Sequence, residues 1–253
     1  FPYVCANLAK GMLASDPKQD ELFFKPYVII EKQIRDGSGA ESPVKVGFIG
    51  FVPPQIMVWD AKHLEGKAQT RDIVDAAKAW VPVMKEEGAD IVIALSHSGI
   101  DGSGMSERME NASLYLAGVE GIDAVFTGHQ HLVFPGPKDF EGIAGADAAK
   151  GTLMGKPAVM AGFWGSHMGL IDLLLEKDGS SWKIVDFTSE ARPIYHRDAD
   201  RKVVADVKDK SEVTAAVKEE LEATLAYLRR PVGKTSAPLY SYFALVADDP
   251  SVQ

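Results

Sequence analysis

The order of apolar and polar positions divides the chain into an alternating first half and a strand-rich second half. Residues 3–6 read as a short strand, followed by an irregular polar segment around Ser15-Asp16-Pro17. Residues 27–34 are rich in Val and Ile and predict a strand, closed by the turn Asp36-Gly37-Ser38-Gly39. Residues 45–51 predict another strand, which Pro53-Pro54 forbids from continuing. Thr70 is placed to cap a helix that carries Ile73, Ala77, Trp80 and Met84 on one face and stops at Gly88. Pro82 lies inside that pattern and predicts a kink or break.

Further along, residues 91–95 and 124–127 form continuous apolar runs of strand length, with a helix predicted over residues 106–117 between them. Residues 157–161 and 168–176 predict strands. The second of these pairs with residues 182–187 through a turn at Asp178-Gly179. Ser211 opens a long amphipathic helix with Val213, Val217, Leu221, Leu225 and Leu228 on one stripe, closed by Pro231. Strand–helix–strand order early and paired strands late predict an α/β sandwich. Residues 1–230 are read as one domain and residues 231–253 as a linker.

Composition narrows the function. With 253 residues, 46% hydrophobic and 25% charged, the chain has an ordinary globular make-up and can bury a sizeable core. No run of about 18 apolar residues exists, so no membrane-spanning helix is expected. Lys and Arg total 27 against 36 Asp and Glu, a net charge of −9 without basic clusters, which argues against polymeric nucleic acid as a partner. A small phosphate ester remains open, because a bound divalent metal can supply positive charge locally. Cys5 is the single cysteine, which excludes an intramolecular disulfide and a cysteine-built zinc site.

The chemistry concentrates in histidines. Of six, His97 follows the apolar run 91–95 in Ser96-His97-Ser98-Gly99, while His129 and His131 follow the run 124–127 in Gly128-His129-Gln130-His131. Carboxyl ends of parallel strands open on one edge of a sheet, where ligands bind, so three imidazoles from two strands are expected together. Imidazole suits zinc, manganese, iron or nickel, but three histidines alone cannot build a two-metal site without carboxylates. A His-x-His pair on its own is commonly accidental. It is the second histidine-bearing strand end that raises it above chance. His63, His167 and His196 are read as loop or surface residues, with His167 worth watching because a strand precedes it. Asp101, Asp123 and Asp172, near strand ends, are read as turn or cap residues. Gly102-Ser103-Gly104 lacks the surroundings of a nucleotide-binding loop, and Ser96 and Ser98 lie outside a serine-hydrolase elbow. Tyr240, Tyr242 and Phe243 are read as a packing anchor.

These histidine motifs resemble the second half of the calcineurin-like metallophosphoesterase signature. Within that family, Gly47-Phe48-Ile49-Gly50-Phe51-Val52-Pro53-Pro54-Gln55-Ile56-Met57-Val58-Trp59-Asp60 is similar to the bacterial 2′,3′-cyclic-nucleotide 2′-phosphodiesterase/3′-nucleotidase group. So are Gly151-Thr152-Leu153, Glu190-Ala191-Arg192-Pro193-Ile194-Tyr195, and Tyr240-Ser241-Tyr242 with the terminal Asp248-Asp249-Pro250.

The resemblance implies a four-layer αββα sandwich and a hydrolase using two divalent ions of the Zn, Mn, Fe or Co type. By position, His97 and His129 would ligate one ion and His131 the other. The family's amino-terminal motifs (Asp-x-His, a Gly-Asp pair, Gly-Asn-His-Glu/Asp) do not occur in this sequence. The chain is therefore expected to be the latter part of a catalytic domain that lacks those motifs and a carboxy-terminal nucleotide-binding domain. On that reading the fragment holds one ion or none, its catalytic acid and base lie in the missing part, and it is inactive alone. An exposed sheet edge and apolar surface are expected to favour self-association. The resemblance further implies a small nucleotide substrate and a periplasmic parent enzyme. Alternatives are a 5′-nucleotidase or nucleotide-sugar hydrolase on the same scaffold, a non-catalytic module, and an amidohydrolase. The last is disfavoured because its His-x-His normally comes early in the chain.

Overall fold

Four parallel strands form the centre of the molecule in the computed structural model, which describes residues 2–136, 139–179, 181–236 and 238. The chain divides into two units, residues 1–206 and 207–253. In the first unit the elements run β1 (Leu8–Lys10), a 3-10 turn at Pro17–Gln19, β2 (Tyr27–Arg35), β3 (Glu41–Phe51), α1 (Ile56–Trp59), α2 (Ala61–Leu64), β4 (Ala68–Thr70) and α3 (Ile73–Glu86). They continue with β5 (Ile91–Ser96), α4 (Ser113–Ala117), β6 (Ala124–Thr127), β7 (Val133–Phe134), β8 (Ala146–Asp147), β9 (Thr152–Leu153) and β10 (Lys156–Ala161). A long hairpin follows, β11 (His167–Asp178) with β12 (Ser181–Pro193), and then a short pair, β13 (Tyr195–Arg197) with β14 (Val203–Ala205).

The main sheet has the order β2-β3-β5-β6-β10-β9-β8, with β7 also pairing β10. Within it β3, β5, β6 and β10 are parallel neighbours, in register through Phe48 opposite Ile93, Ala94 opposite Val125 and Val125 opposite Ala158. All four therefore end on the same edge.

Helix α3 covers one face of this sheet, burying Ile73, Val74, Ala77, Val81 and Met84 in a cluster with Ile49, Val92, Ala94, Val125, Ala158 and Met160. Met84 lies so close to β3 that a Cβ at Gly47 would sit 2.5 Å from its Cε and push the thioether aside. Because side chains alternate along a strand, Val159 faces the opposite side from Ala158 and Met160. Gly169 of the long hairpin packs on it, with a hypothetical Cβ 3.0 Å from Val159 Cγ2. The hairpin is tied across this second face. Ser189 Oγ donates to the Ala158 carbonyl, and Trp182 Nε1 donates to the Pro43 carbonyl at the far strand. Helix, sheet and hairpin sheet thus give three layers of an αββα sandwich, in a mixed α/β fold.

Several elements differ from expectation for visible reasons. The first strand is Leu8–Lys10 and not residues 3–6, where only Val4 makes an isolated bridge to Lys25. Asp72, and not Thr70, caps α3, accepting from Val74 N and Asp75 N, while Thr70 ends β4 and donates to the Pro54 carbonyl. Helix α3 runs unbroken through Pro82. Pro82 and Lys78 both lie on the exposed side, where the Lys78 carbonyl left without its intrahelical donor meets water. Only residues 113–117 of the predicted helix 106–117 are helical. Asp101 is a turn residue accepting from Ser103 N, and Asp123 accepts from Val92 N and pairs with Lys85. Asp172 is exposed in the middle of β11 and is neither turn nor cap.

The second unit contains α5 (Ser211–Ala216) and α6 (Lys218–Leu228), two helices where one is predicted, interrupted at Val217. Val213, Val217, Leu221 and Leu228 of its stripe are exposed. Tyr240, Tyr242, Phe243 and the terminal Asp248-Asp249-Pro250 lie outside the described residues.

Candidate metal centre

His97 is the residue immediately after β5, and its backbone N–H still donates to the Phe51 carbonyl at the end of β3. Gly128 leads out of β6, and its N–H donates to the Ser98 carbonyl, drawing the two histidine loops together. A buried hydroxyl set locks this junction. Thr127 Oγ1 and Ser113 Oγ both donate to the Ser98 carbonyl, while Ser98 Oγ donates to the Glu110 carbonyl (2.6 Å) and accepts from Ala112 N (2.8 Å). Such a satisfied buried polar network fixes strand ends against each other.

The loop after β6 is strained. His129 and His131 adopt φ of 70° and 60°, in the left-handed region where most side chains are disfavoured. Gln130 between them secures the loop, its Oε1 accepting from Ile100 N at 2.7 Å. It reaches across only because residue 99 is glycine. A Cβ there would lie 2.3 Å from Gln130 Cδ and 2.4 Å from Asn111 Oδ1. Unusual backbone held by surrounding contacts is common where side chains must be aimed.

The rings converge in part. His97 and His129 stand edge to face with centroids 5.4 Å apart. Trp59, delivered by the turn that Pro53-Pro54 imposes after β3, stacks on His129 at 4.9 Å and 23°. His129 Nε2 lies 2.7 Å from Glu110 Oε1. His131 stacks instead on Phe163, at 5.4 Å, on the turn after β10. Burial, and then the nearby His129 and His131, hold the His97 imidazole below its ordinary value, which favours the neutral ring that a metal needs. Among the described residues no group of three or more His, Cys, Asp or Glu side chains is arranged to hold a metal ion. The donor chemistry at this edge suits a transition metal, yet Glu110, the one carboxylate bonded to the three histidines among the described residues, is engaged by His129. The chemistry of the three histidines is that of metal-binding side chains, with His97 and His129 meeting at this edge and His131 turned to Phe163.

The remaining histidines stay apart. His63 is exposed on α2, His196 Nδ1 pairs with Asp206, and His167 Nδ1 bonds Ser166 Oγ at the start of β11. Sequence reasoning missed Glu110, Trp59 and Gln130. The block carrying Trp59 stands out in sequence only by resemblance, and Glu110 falls in the part of the predicted helix 106–117 that is not helical.

A 2′,3′-cyclic-nucleotide 2′-phosphodiesterase/3′-nucleotidase of Salmonella typhimurium is 45% identical over 253 residues, which are 100% of this chain and 38% of that protein. The trifunctional nucleotide phosphoesterase protein YfkN of Bacillus subtilis is 45% identical over 255 residues, 16% of its length. The crystal structure of calcineurin-like phosphoesterase YfkN from Bacillus subtilis matches with a TM-score of 0.79 at 42% identity, covering 91% of this chain and 64% of that one. The chain is homologous, end to end, to a segment of these phosphoesterases. It spans well under half the length of the curated relatives it matches. No protein-family model matches it.

Proposed function

We propose that this chain is the latter part of the catalytic domain of a metal-dependent phosphoric ester hydrolase acting on 2′,3′-cyclic nucleotides and 3′-nucleotides. The observation that carries the reading is the meeting of His97 and His129 at the carboxyl edge of β5 and β6, within a sequence matched from end to end by nucleotide phosphoesterases. His97 and His129 would hold one divalent ion of the Zn, Mn, Fe or Co type, and His131 a second. Such ions, when bound, polarise phosphoryl oxygens and make water a nucleophile at neutral pH.

The chain's own residues do the positioning. Ser98, Ser113 and Thr127 keep the two strand ends in register, Gln130 holds the strained His129–His131 backbone, and Trp59 walls the His129 ring from solvent. Proton transfer to the leaving oxygen falls to groups outside this set, as do the carboxylates that two ions require. Alone, the chain binds at most one ion and does not turn over substrate. The parent enzyme belongs, on this reading, in the bacterial periplasm, with a small nucleotide as its substrate.

A chimera tests this. The corresponding segment of the Salmonella enzyme is replaced by this chain, and hydrolysis of 2′,3′-cyclic AMP and 3′-AMP is measured with added Mn²⁺. The chimera is expected to be active, and His97→Ala with His129→Ala should cost more than the roughly 10–100-fold typical of outer-shell partners. A folded but inert chimera, or activity that survives the double substitution, would overturn the proposal.

A further inference from the structure

Glu110 is bonded to His129 but belongs to no motif. Its loop lies between β5 and α4, and four hydrogen bonds stitch that loop to the end of β5. Ser98 Oγ donates to the Glu110 carbonyl, Ala112 N donates to Ser98 Oγ, Gly99 N donates to Asn111 Oδ1, and Ser113 N donates to the Gly99 carbonyl. The Glu110 backbone is thereby fixed to the strand that presents His97. From there its carboxylate reaches His129 Nε2 at 2.7 Å, while Trp59 lies against the ring face. Two contacts of different kinds, one on an edge and one on a face, hold a single imidazole.

A neutral imidazole carries one proton, and whichever nitrogen donates it leaves the other as the lone-pair nitrogen. A carboxylate can only accept, so Nε2–H donating to Glu110 leaves Nδ1 free. Carboxylates in this relation to metal-binding histidines fix both tautomer and ring direction.

We infer that Glu110 is a positioning residue for His129, accepting a hydrogen bond from its Nε2–H so that Nδ1 is the nitrogen offered to a divalent cation. The inference rests on the metal reading above and deepens it. A surface ion pair of no consequence is the rival, since the Glu110 side chain is 41% exposed.

Two readouts on the full chain decide. Long-range ¹H–¹⁵N spectra at pH 8 give the His129 tautomer, and competition titration gives Zn²⁺ affinity, for the wild type, Glu110→Ala, Glu110→Gln and His129→Ala. The wild type is expected to show Nε2-protonated His129. Glu110→Ala should lose that preference and about 10–100-fold in Zn²⁺ affinity with an unchanged circular dichroism spectrum. Glu110→Gln, whose amide oxygen still accepts, should recover part of both. Unchanged tautomer and affinity in Glu110→Ala would overturn the inference. So would a loss in Glu110→Gln as complete as that in His129→Ala with the tautomer intact, which would make Glu110 a ligand. A wild-type chain that takes up no Zn²⁺ would overturn the inference for this chain, whereas failure of the metal reading shows separately, as a chimera whose activity survives loss of His97 and His129.

Discussion

Gly99 and Gln130 decide how the two histidine loops meet. Gln130 accepts from Ile100 N by passing through the space where any other residue at 99 would place its Cβ. Gly99→Ala must displace both Gln130 and Asn111, each hydrogen-bonded to the segment that follows β5. Overpacking plus a lost buried bond is expected to cost about 1–3 kcal/mol. In a unit of this size that lowers Tm by about 2–10 °C. Thermal unfolding measures it, and a Tm unchanged within about 1 °C would show that the loop yields without cost. The histidines themselves were legible from their place after apolar runs, because strand ends in a parallel sheet share an edge. Glu110, Trp59 and Gln130 were not, since each acts through a partner distant in sequence that only the packed sheet brings near.

Among the elements, α3 shows why local signals mislead at boundaries. Thr70 has the chemistry of a cap, but β4 claims it, and Arg108 bonds both its carbonyl and its hydroxyl. Asp72, two residues on, accepts from Val74 N and Asp75 N and also from Arg108 N, so one buried carboxylate caps the helix and anchors the loop that leads to Glu110. Asp72→Ala should cost about 1–2 kcal/mol from the cap alone, read as a lower denaturant midpoint at constant slope. A midpoint unchanged in Asp72→Ala would contradict this assignment. The same loop explains the missing first turns of the predicted helix 106–117. Ser98 takes the Ala112 N–H and the Glu110 carbonyl, groups a helix would have used internally. Strand identities were legible because long apolar runs have few alternatives, whereas these helix limits depend on bonds to other segments.

In the first unit as a whole, the layered order follows from alternation along β5. Val92, Ala94 and Ser96 are buried on the α3 side, while Ile93, Leu95 and His97 face the other way. Leu95 is 38% exposed, on a central strand of a parallel stretch whose two faces are normally both covered. Val4, Gly50, Leu95, Phe126 and His97 are among the residues that line a shallow cleft there. On the proposed reading, the remainder of the catalytic domain packs on this apolar surface and brings its carboxylates beside the histidines. The α/β sandwich was legible from periodicity and the likeness to phosphoesterases from motifs. That the open apolar surface is a sheet face was not, because burial on a face depends on which layer arrives. Elemental mass spectrometry on chain purified without chelators is the most direct check of the half-site. No more than one metal ion per chain is expected, lost when His97→Ala and His129→Ala are combined. Two ions per chain, or a content unchanged in that double variant, would contradict it.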